Sequence, residues 1–295
     1  MPMNTTRCLL IPILAIVFLA NACAVVEGAG KKKKARLQGY DMLALPGESI
    51  SLRAKAEKSS RVRFRPDLDD QMIEFLVGEK TLGTAETNDD GVAALTHKFA
   101  KAGRYTVAVR FGAKSKYAAE DTFIVDVCDA QTRFLVCDID HTIADISATK
   151  FVFKKNKKVP ALPGSPAALT RLAKHYKIIY ITARDDAFLK KTLDWLALRK
   201  FPRAPIFFWD FGGKKFSHKK YKTREIAAIK KRFPNIIAGV GDKVGDAKAY
   251  IANGIKAVII GLKRDDDLPE NAIWAKTWAD VEKHLTPKGS KTGDR

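Results

Sequence analysis

The part of the chain after residue 129 alternates short apolar runs with segments of helical spacing, and this alternation restricts the fold more than any other feature. The short runs predict strands, and the segments between them carry apolar residues three and four positions apart, which predicts helices. The predicted strands are 133–137, 177–181, 205–209, 236–240 and 256–260, and the predicted helices are 165–175, 186–198, 223–232 and 245–252. Strands and helices in this order form a parallel sheet covered on both faces. Residues 129–285 are therefore expected to form an α/β domain built on a Rossmann-like parallel sheet.

The preceding segment, 36–128, has a different sequence pattern. It contains short stretches in which apolar and polar residues alternate, separated by turn signals, and it shows no helical period. Predicted strands lie at 49–54, 72–77, 92–98, 104–110 and 122–127. Strands at this spacing predict an all-β sandwich of about 90 residues. Three phrases resemble bacterial Ig-like repeats, and they begin at Pro46, Thr87 and Ala102. The resemblance implies an Ig-like β-sandwich that spaces, docks or binds, with a partner that the sequence does not identify.

The first 22 residues have the pattern of a signal peptide. Arg7 precedes an apolar run at 9–20, and Ala20-Asn21-Ala22 matches a signal peptidase site. A membrane span is the alternative, but it needs roughly 20 apolar residues, and this run is shorter and contains Pro12. The lysines at 31–34 put more positive charge after the run than before it, which the orientation rule disfavours. We expect export to the periplasm or the extracellular space.

Cys23 follows the cleavage pattern directly and resembles the lipidated cysteine of a bacterial lipobox, so a lipoprotein anchor and simple secretion both stay open. Residues 23–35 are expected to be a basic linker, and residues 286–295 a basic tail. The remaining cysteines, Cys128 and Cys137, lack metal-site spacing. Free thiols are expected there, with a disulfide between them as the alternative.

The charge balance is strongly basic, with 53 Lys and Arg against 33 Asp and Glu and a net charge of +20. A lysine-rich solvated surface is one interpretation. The other is an anionic partner, either a phosphorylated substrate or an acidic lipid surface. No motif that reads DNA or RNA is present, so a nucleic-acid partner is not expected.

Polar side chains follow the predicted strands where parallel sheets bind ligands, outside the carboxyl ends of the strands. Asp138 and Asp140 follow the first strand, and residues two apart on extended backbone point the same way. Two carboxylates this close repel each other unless a cation or a shared proton intervenes. Thr182 follows the second strand, Asp242 and Asp246 follow a later one, and Lys222 stands at the start of the helix before it. Individually, these aspartates could be helix caps and the lysine a solvated side chain.

Together, this order of residues resembles the haloacid dehalogenase (HAD) superfamily of phosphohydrolases over residues 129–285. The four motifs of that superfamily are matched by Asp138-x-Asp140-x-Thr142, Thr182, Lys222 and Gly241-Asp242-x-x-x-Asp246. The resemblance implies that Asp138 is the nucleophile, forming an aspartyl-phosphate, and that Asp140 is the general acid and base. It also implies phosphate binding by Thr142, Thr182 and Lys222, and a Mg²⁺ site formed by Asp138, Asp140, Asp242 and Asp246. His141 and Arg184 receive no definite role.

Shorter phrases resemble the lipin/LNS2 and App1-like branch of that superfamily. They are the stretch 178–184, the stretch 232–234 and the stretch 241–250. This branch implies action on phosphatidate or a related membrane phosphate, and the short spacing between motifs implies a small cap or none. The alternatives are a phosphatase of soluble phosphomonoesters such as nucleotides, and a non-catalytic binding or scaffold protein.

Overall fold

A computed structural model describes residues 32–59, 65–209 and 218–287 of the 295-residue chain. The predicted signal peptide, Cys23, most of the basic linker and most of the basic tail lie outside the described residues. No helix in the described ranges is long and apolar enough to cross a membrane.

Two sheets of a β-sandwich-like unit occupy the first part of the described chain. One sheet has the order β6-β3-β1-β8 and contains β1 (Lys33–Gly39), β3 (Ser49–Lys58), β6 (Val92–Lys98) and β8 (Tyr117–Ala118). The other has the order β2-β9-β7-β4-β5 and contains β2 (Met42–Ala44), β4 (Met72–Val77), β5 (Lys80–Glu86), β7 (Gly103–Phe111) and β9 (Glu120–Val127). Alternate side chains of both sheets, among them Leu52, Phe75 and Phe123, share one buried core. Period-two burial of this kind produced the alternation seen in the sequence.

Four of these strands, β1, β2, β5 and β8, are absent from the prediction. β1 begins at Lys33, inside the segment expected to be a basic linker. Its lysines hide the strand signal, but antiparallel pairing with β3 from Ala35 to Gly39 gives it a place in the sheet. β5 is half exposed throughout and therefore lacks a clear apolar alternation.

The remainder of the chain forms a six-stranded sheet in which every neighbouring pair of strands is parallel. Its order is β12-β11-β10-β13-β14-β15. The strands are β10 (Phe134–Cys137), β11 (Lys177–Asp185), β12 (Ile206–Trp209), β13 (Ile236–Gly241), β14 (Lys256–Ile260) and β15 (Ile273–Ala275). The helices are α1 (Ala148–Phe153), α2 (Ser165–Leu172), α3 (Leu189–Leu198), α4 (His218–Arg232), α5 (Val244–Ala252) and α6 (Trp278–Leu285). The expected α/β architecture is present.

Apolar side chains cover both faces of this sheet, as expected for parallel strands. On β10, Leu135 and Cys137 belong to the core shared with α2, α3 and α6, whereas Phe134 and Val136 belong to the core shared with α4 and α5. All four residues are fully buried, which explains why β10 reads as a continuous apolar run. Cys128 and Cys137 are both buried free thiols.

The direction of strand addition reverses beside β10. From β10 the chain adds β11 and β12 on one side, whereas β13, β14 and β15 follow one another on the other side. Ligands of open parallel sheets bind at such a switch point, outside the carboxyl ends of the strands. A ligand is therefore expected to bind beside the residues that follow β10 and β13.

The end of β11, near that edge, differs from the sequence prediction. β11 continues to Asp185 instead of ending at residue 181, because it pairs with β12 as far as Trp209. Thr182 and Arg184 therefore lie on the strand itself. The connection from β10 to β11 contains α1, a 3-10 turn at Asn156–Lys158 and α2, which is small compared with a folded cap domain.

Polar contacts join the sandwich-like unit to the parallel sheet. Arg203, just before β12, donates to both carboxylate oxygens of the buried Asp41 at 2.6 Å. The Tyr40 hydroxyl donates to Asp186 Oδ2 at 2.8 Å, and Gln38 Nε2 donates to the Asp186 carbonyl at 3.1 Å. Asp186 begins the 3-10 turn Asp186–Phe188 that follows β11. The β-sandwich thus contacts the segment that leaves the carboxyl edge of the sheet.

Candidate active site

A single lysine connects two buried carboxylates at the switch point. Lys222 Nζ lies 2.9 Å from Asp138 Oδ2 and 2.6 Å from Asp246 Oδ1. Asp138 follows β10 directly, and its backbone N–H donates to the Val240 carbonyl of β13 at 2.9 Å. Only 7% of Lys222 is exposed, so the three charges interact in a poorly solvated space.

The protonation of this group reflects its burial. Burial raises the pKa of Asp138 to about 6, although the nearby Lys222 ammonium opposes the shift. Burial also disfavours the charged form of Lys222, but the carboxylates of Asp138 and Asp246 outweigh it and raise the pKa of that ammonium. Lys222 therefore stays charged, and Asp138 stays ionised above its raised pKa.

A third carboxylate, Asp242, lies in the same space, and its Oδ2 has a long ion pair, 3.9 Å, with the exposed Lys243 Nζ. Oxygens of Asp138, Asp242 and Asp246 fall within 4.8 Å of one another. Burial, together with the Asp138 carboxylate, raises the pKa of Asp242 to about 7. Asp242 Oδ1 is buried and has no hydrogen-bond partner among the described residues. Crowded carboxylates with an unpartnered oxygen fit a hard divalent cation such as Mg²⁺, which prefers oxygen ligands.

Asp246 differs from the other two carboxylates because both of its oxygens have partners. Oδ1 accepts from Lys222, and Oδ2 accepts from the backbone N–H groups of Asp242 and Lys243, each at 3.2 Å. A Cβ on Gly241 would lie 2.5 Å from the Cβ of Asp246, so a glycine is needed for this approach. The uncommitted oxygens that could bind a metal directly belong to Asp138 and Asp242, whereas Asp246 holds the loop and Lys222 in place.

Asp140 forms a separate pair with Arg184 of β11. Arg184 Nε donates to Asp140 Oδ2 at 3.0 Å, and Nη2 donates to Asp140 Oδ1 at 2.9 Å. The loop between β10 and α1 turns sharply after Asp140, where His141 has a φ of 55°. His141 is exposed and its N–H donates to the Ala144 carbonyl at 2.8 Å.

The two predicted phosphate-binding threonines are both fully buried. Thr142 Oγ1 has no hydrogen-bond partner within the described ranges, while its carbonyl accepts from Trp278 Nε1 at 2.8 Å. Thr182 Oγ1 accepts from the Arg184 N–H at 3.3 Å. Leaving a buried hydroxyl without a hydrogen-bond partner costs free energy. The Thr142 hydroxyl is therefore available to donate to a bound oxyanion, which would satisfy it.

The structure thus brings Asp138, Lys222, Asp242 and Asp246 into one cluster and places Asp140 and Thr182 beside Arg184. Arg184 is one of the two residues, with His141, whose role the sequence left open. A signal for it existed, since Arg184 follows Thr182 by two positions and such residues share one side of a strand. The partner of Arg184, however, depends on the pairing of β11 with β10, which the sequence does not reveal.

Comparisons with known proteins agree with the predicted resemblance. Residues 135–260 match the family model described as the LNS2 domain of PITM 1-3. No curated protein sequence matches the chain significantly. The matched segment is just under half of the chain, and it contains every residue of the predicted site.

Solved structures resemble the chain only distantly. A HAD-superfamily hydrolase from Ehrlichia chaffeensis is 12% identical with a TM-score of 0.39, covering 52% of this chain and 96% of its own. DsGPDH of Dunaliella salina is 18% identical with a TM-score of 0.38, and the match covers 52% of this chain and 29% of that one. The D00-D0 domain of intimin is 18% identical with a TM-score of 0.25, covering 35% and 52%. The architecture therefore rests on the strand order described above, and the LNS2 match supports a HAD-type phosphatase domain.

Proposed function

We propose that the chain is a Mg²⁺-dependent phosphomonoester hydrolase of HAD type that works through an aspartyl-phosphate on Asp138. The observation that carries this proposal is the ion-paired group of Asp138, Lys222 and Asp246 beside the unpartnered Asp242 oxygen. It lies at the switch point of a parallel sheet and within the LNS2 match. A nucleophilic carboxylate, a fixed cation and spare oxygen ligands are what phosphoryl transfer through an aspartate requires.

The chemistry assigns one task to each side chain. An oxygen of Asp138 forms a bond to phosphorus as the bond from phosphorus to the leaving oxygen breaks, and Asp140 gives its proton to that oxygen. Water then forms a bond to phosphorus, the aspartyl bond breaks, and Asp140 takes the proton back. Lys222 fixes the orientation of Asp138, and its charge, with the hydroxyls of Thr142 and Thr182, favours the phosphoryl oxygens.

The uncommitted oxygens of Asp138 and Asp242 would hold the metal, with Asp246 supporting the loop and the Asp140 carbonyl contributing as the resemblance implies. When bound there, Mg²⁺ supplies positive charge that offsets repulsion between Asp138 and an anionic phosphate.

The test is release of phosphate from a generic aryl phosphate with and without Mg²⁺. Asp138→Asn should abolish release, because an amide cannot form the phospho-enzyme. Asp145→Asn is the matched control, since Asp145 is an exposed aspartate of the same loop. Metal-independent release, or full activity of Asp138→Asn, would refute the proposal, and no release by the wild type would favour the binding or scaffold alternative.

For the substrate, we favour a membrane phosphomonoester such as phosphatidate. Phe153 and Leu262 are 79% and 85% exposed. Phe153 ends α1, in the connection that leaves the carboxyl end of β10, and Leu262 follows the carboxyl end of β14. Exposed lysines that have no ion pair within the described ranges surround Phe153 in sequence, namely Lys150, Lys154, Lys155, Lys157 and Lys158. Each basic residue close to an anionic bilayer contributes about 1 kcal/mol of attraction.

Hydrolysis of phosphatidate in vesicles, measured beside a panel of nucleotides, separates the two substrate classes. Phe153→Ser combined with Leu262→Ser should reduce hydrolysis in vesicles and leave the aryl phosphate unaffected, with Met72→Ser on β4 as the control for an exposed apolar residue. Rapid nucleotide turnover with no hydrolysis of phosphatidate would assign the soluble class instead.

We also propose that the protein is exported by the signal peptide at 1–22, with the two β-sheets of the first part as an Ig-like domain. Intact-mass measurement of the exported protein distinguishes simple cleavage after Ala22 from a lipidated Cys23. Retention of the protein in the cytoplasm with its first 22 residues intact would contradict export.

A further inference from the structure

Arg184 is almost completely buried, with 2% of its surface exposed, and each of its side-chain nitrogens donates a hydrogen bond within the protein. Two of these bonds reach Asp140, one to each carboxylate oxygen. The third runs from Nη1 to Thr192 Oγ1 of α3 at 3.0 Å. The planar fork of an arginine matches a carboxylate in this bidentate manner and fixes its orientation.

The guanidinium is itself held from several directions. Its carbon lies 3.7 Å from the centre of the Phe151 ring on α1, and Phe151 is fully buried. Lys191 Nζ donates to the carbonyls of Phe151, Val152 and Lys154, and so fastens α1 to α3. These contacts fix the position of Arg184, and its two hydrogen bonds in turn fix the orientation of the Asp140 carboxyl group.

We propose that Arg184 is the positioning residue for Asp140, and that it acts without binding the substrate. This inference rests on the proposed function, in which Asp140 protonates the leaving oxygen and later accepts a proton from water. If the Asp140 carboxyl group were free to rotate, it would face the leaving oxygen only part of the time. The two hydrogen bonds from the Arg184 guanidinium restrict it to one orientation. Direct contact between Arg184 and substrate is disfavoured because the guanidinium is buried against Phe151 and committed to Asp140 and Thr192.

The dependence of the rate on the leaving group tests this assignment. A p-nitrophenolate leaves without being protonated, but an alkoxide needs the proton of Asp140. Arg184→Gln should therefore slow the first step for an alkyl phosphate at least 10-fold more than for p-nitrophenyl phosphate. With p-nitrophenyl phosphate the variant should show a burst of one phenolate per site followed by slow turnover, because water attack still needs Asp140. Asp140→Asn should behave in the same way.

Three further variants keep the test decisive if Arg184→Gln folds poorly. The double variant Asp140→Asn with Arg184→Gln removes both members of the buried pair. Its rates should equal those of Asp140→Asn alone, since both changes remove the same function. Arg184→Lys keeps the charge without the fork and should recover only part of the alkyl phosphate rate. Arg199→Gln is the matched control, because Arg199 also holds this segment, through the Val159 and Lys157 carbonyls, without touching Asp140. Its leaving-group dependence should match the wild type.

Equal losses for both substrates in Arg184→Gln, or a raised KM with an unchanged leaving-group dependence, would overturn the positioning role. A double variant much slower than Asp140→Asn would overturn it as well. A wild-type protein that hydrolyses neither substrate would instead refute the proposed function, so the two failures are distinguishable.

Discussion

Lys222 Nζ lies 2.9 Å from Asp138 Oδ2, and the same ammonium lies 2.6 Å from Asp246 Oδ1. The proposed nucleophile is thus paired with a cation that a second carboxylate holds in place. Pairs of this kind are costly to break, because removing one partner leaves an uncompensated buried charge. The arrangement couples the reactivity of Asp138 to the stability of the sheet edge.

Lys222→Met should abolish phosphate release and lower the free energy of unfolding by about 3–5 kcal/mol at neutral pH, since two buried carboxylates lose their cation. Urea denaturation measures the second effect. Lys220→Met, on the exposed side of the same helix, is the control and should change the stability by less than about 0.5 kcal/mol. A Lys222→Met protein as stable as the control would contradict the buried ion pair.

Without metal, the stability of the protein should fall as the pH rises from about 4 to about 7. The pKa values of Asp138 and Asp242 are raised to about 6 and about 7, so the folded state binds more protons than the unfolded state in this window. Their contribution is complete below the ordinary carboxyl pKa and is lost as the pH passes the raised values. Asp242→Asn should flatten the curve, as measured by urea denaturation at several pH values. A variant with the wild-type slope would argue against the burial of this carboxylate.

Mg²⁺ should raise the Tm of the wild type, because an ion that binds only the folded state stabilises it. At a concentration tenfold above its Kd the expected gain is about 1.4 kcal/mol. Asp242→Asn should lose most of this shift, whereas Asp266→Asn, at an exposed aspartate after β14, should keep it. Calorimetry with and without the ion checks this independently of activity. The same shift in both variants would place the metal elsewhere.

The contact between Asp41 and Arg203 should be among the strongest links between the β-sandwich and the parallel sheet. The Asp41 carboxylate also accepts from the backbone N–H groups of Ile124 and Ile206. Arg203→Gln should therefore cost about 3 kcal/mol or more of stability. Arg110→Gln breaks the exposed pair with Glu74 and should cost at most about 1 kcal/mol. Equal losses of stability for the two variants would mean that the burial of Asp41 does not strengthen its ion pair with Arg203.

The sequence predicted the parallel sheet and the positions of Asp138 and Asp242, because buried parallel strands read as apolar runs and their carboxyl ends can be located from them. It did not reveal β1 or β5, whose burial is weak or masked by lysine. The function of Arg184 was also hidden, since the bidentate contact with Asp140 arises from tertiary pairing of two strands. The pattern of apolar runs identifies the residues at the carboxyl edge of the sheet. Which of those residues contact one another depends on the register of the paired strands, and the sequence does not show that register.

The central place of β10 has a consequence for when the site can exist. The backbone N–H of Asp138 donates to β13, and the cation that pairs with Asp138 comes from α4, so both partners are synthesised well after Asp138 itself. When only the first half of this domain has left the ribosome, Asp138 is present but its partners in α4 and β13 are not. Long-range pairing of this kind is also slow to form. In a chain still being synthesised, we therefore expect the group around Asp138 to form only after α4 and β13 have been made and have packed beside β10.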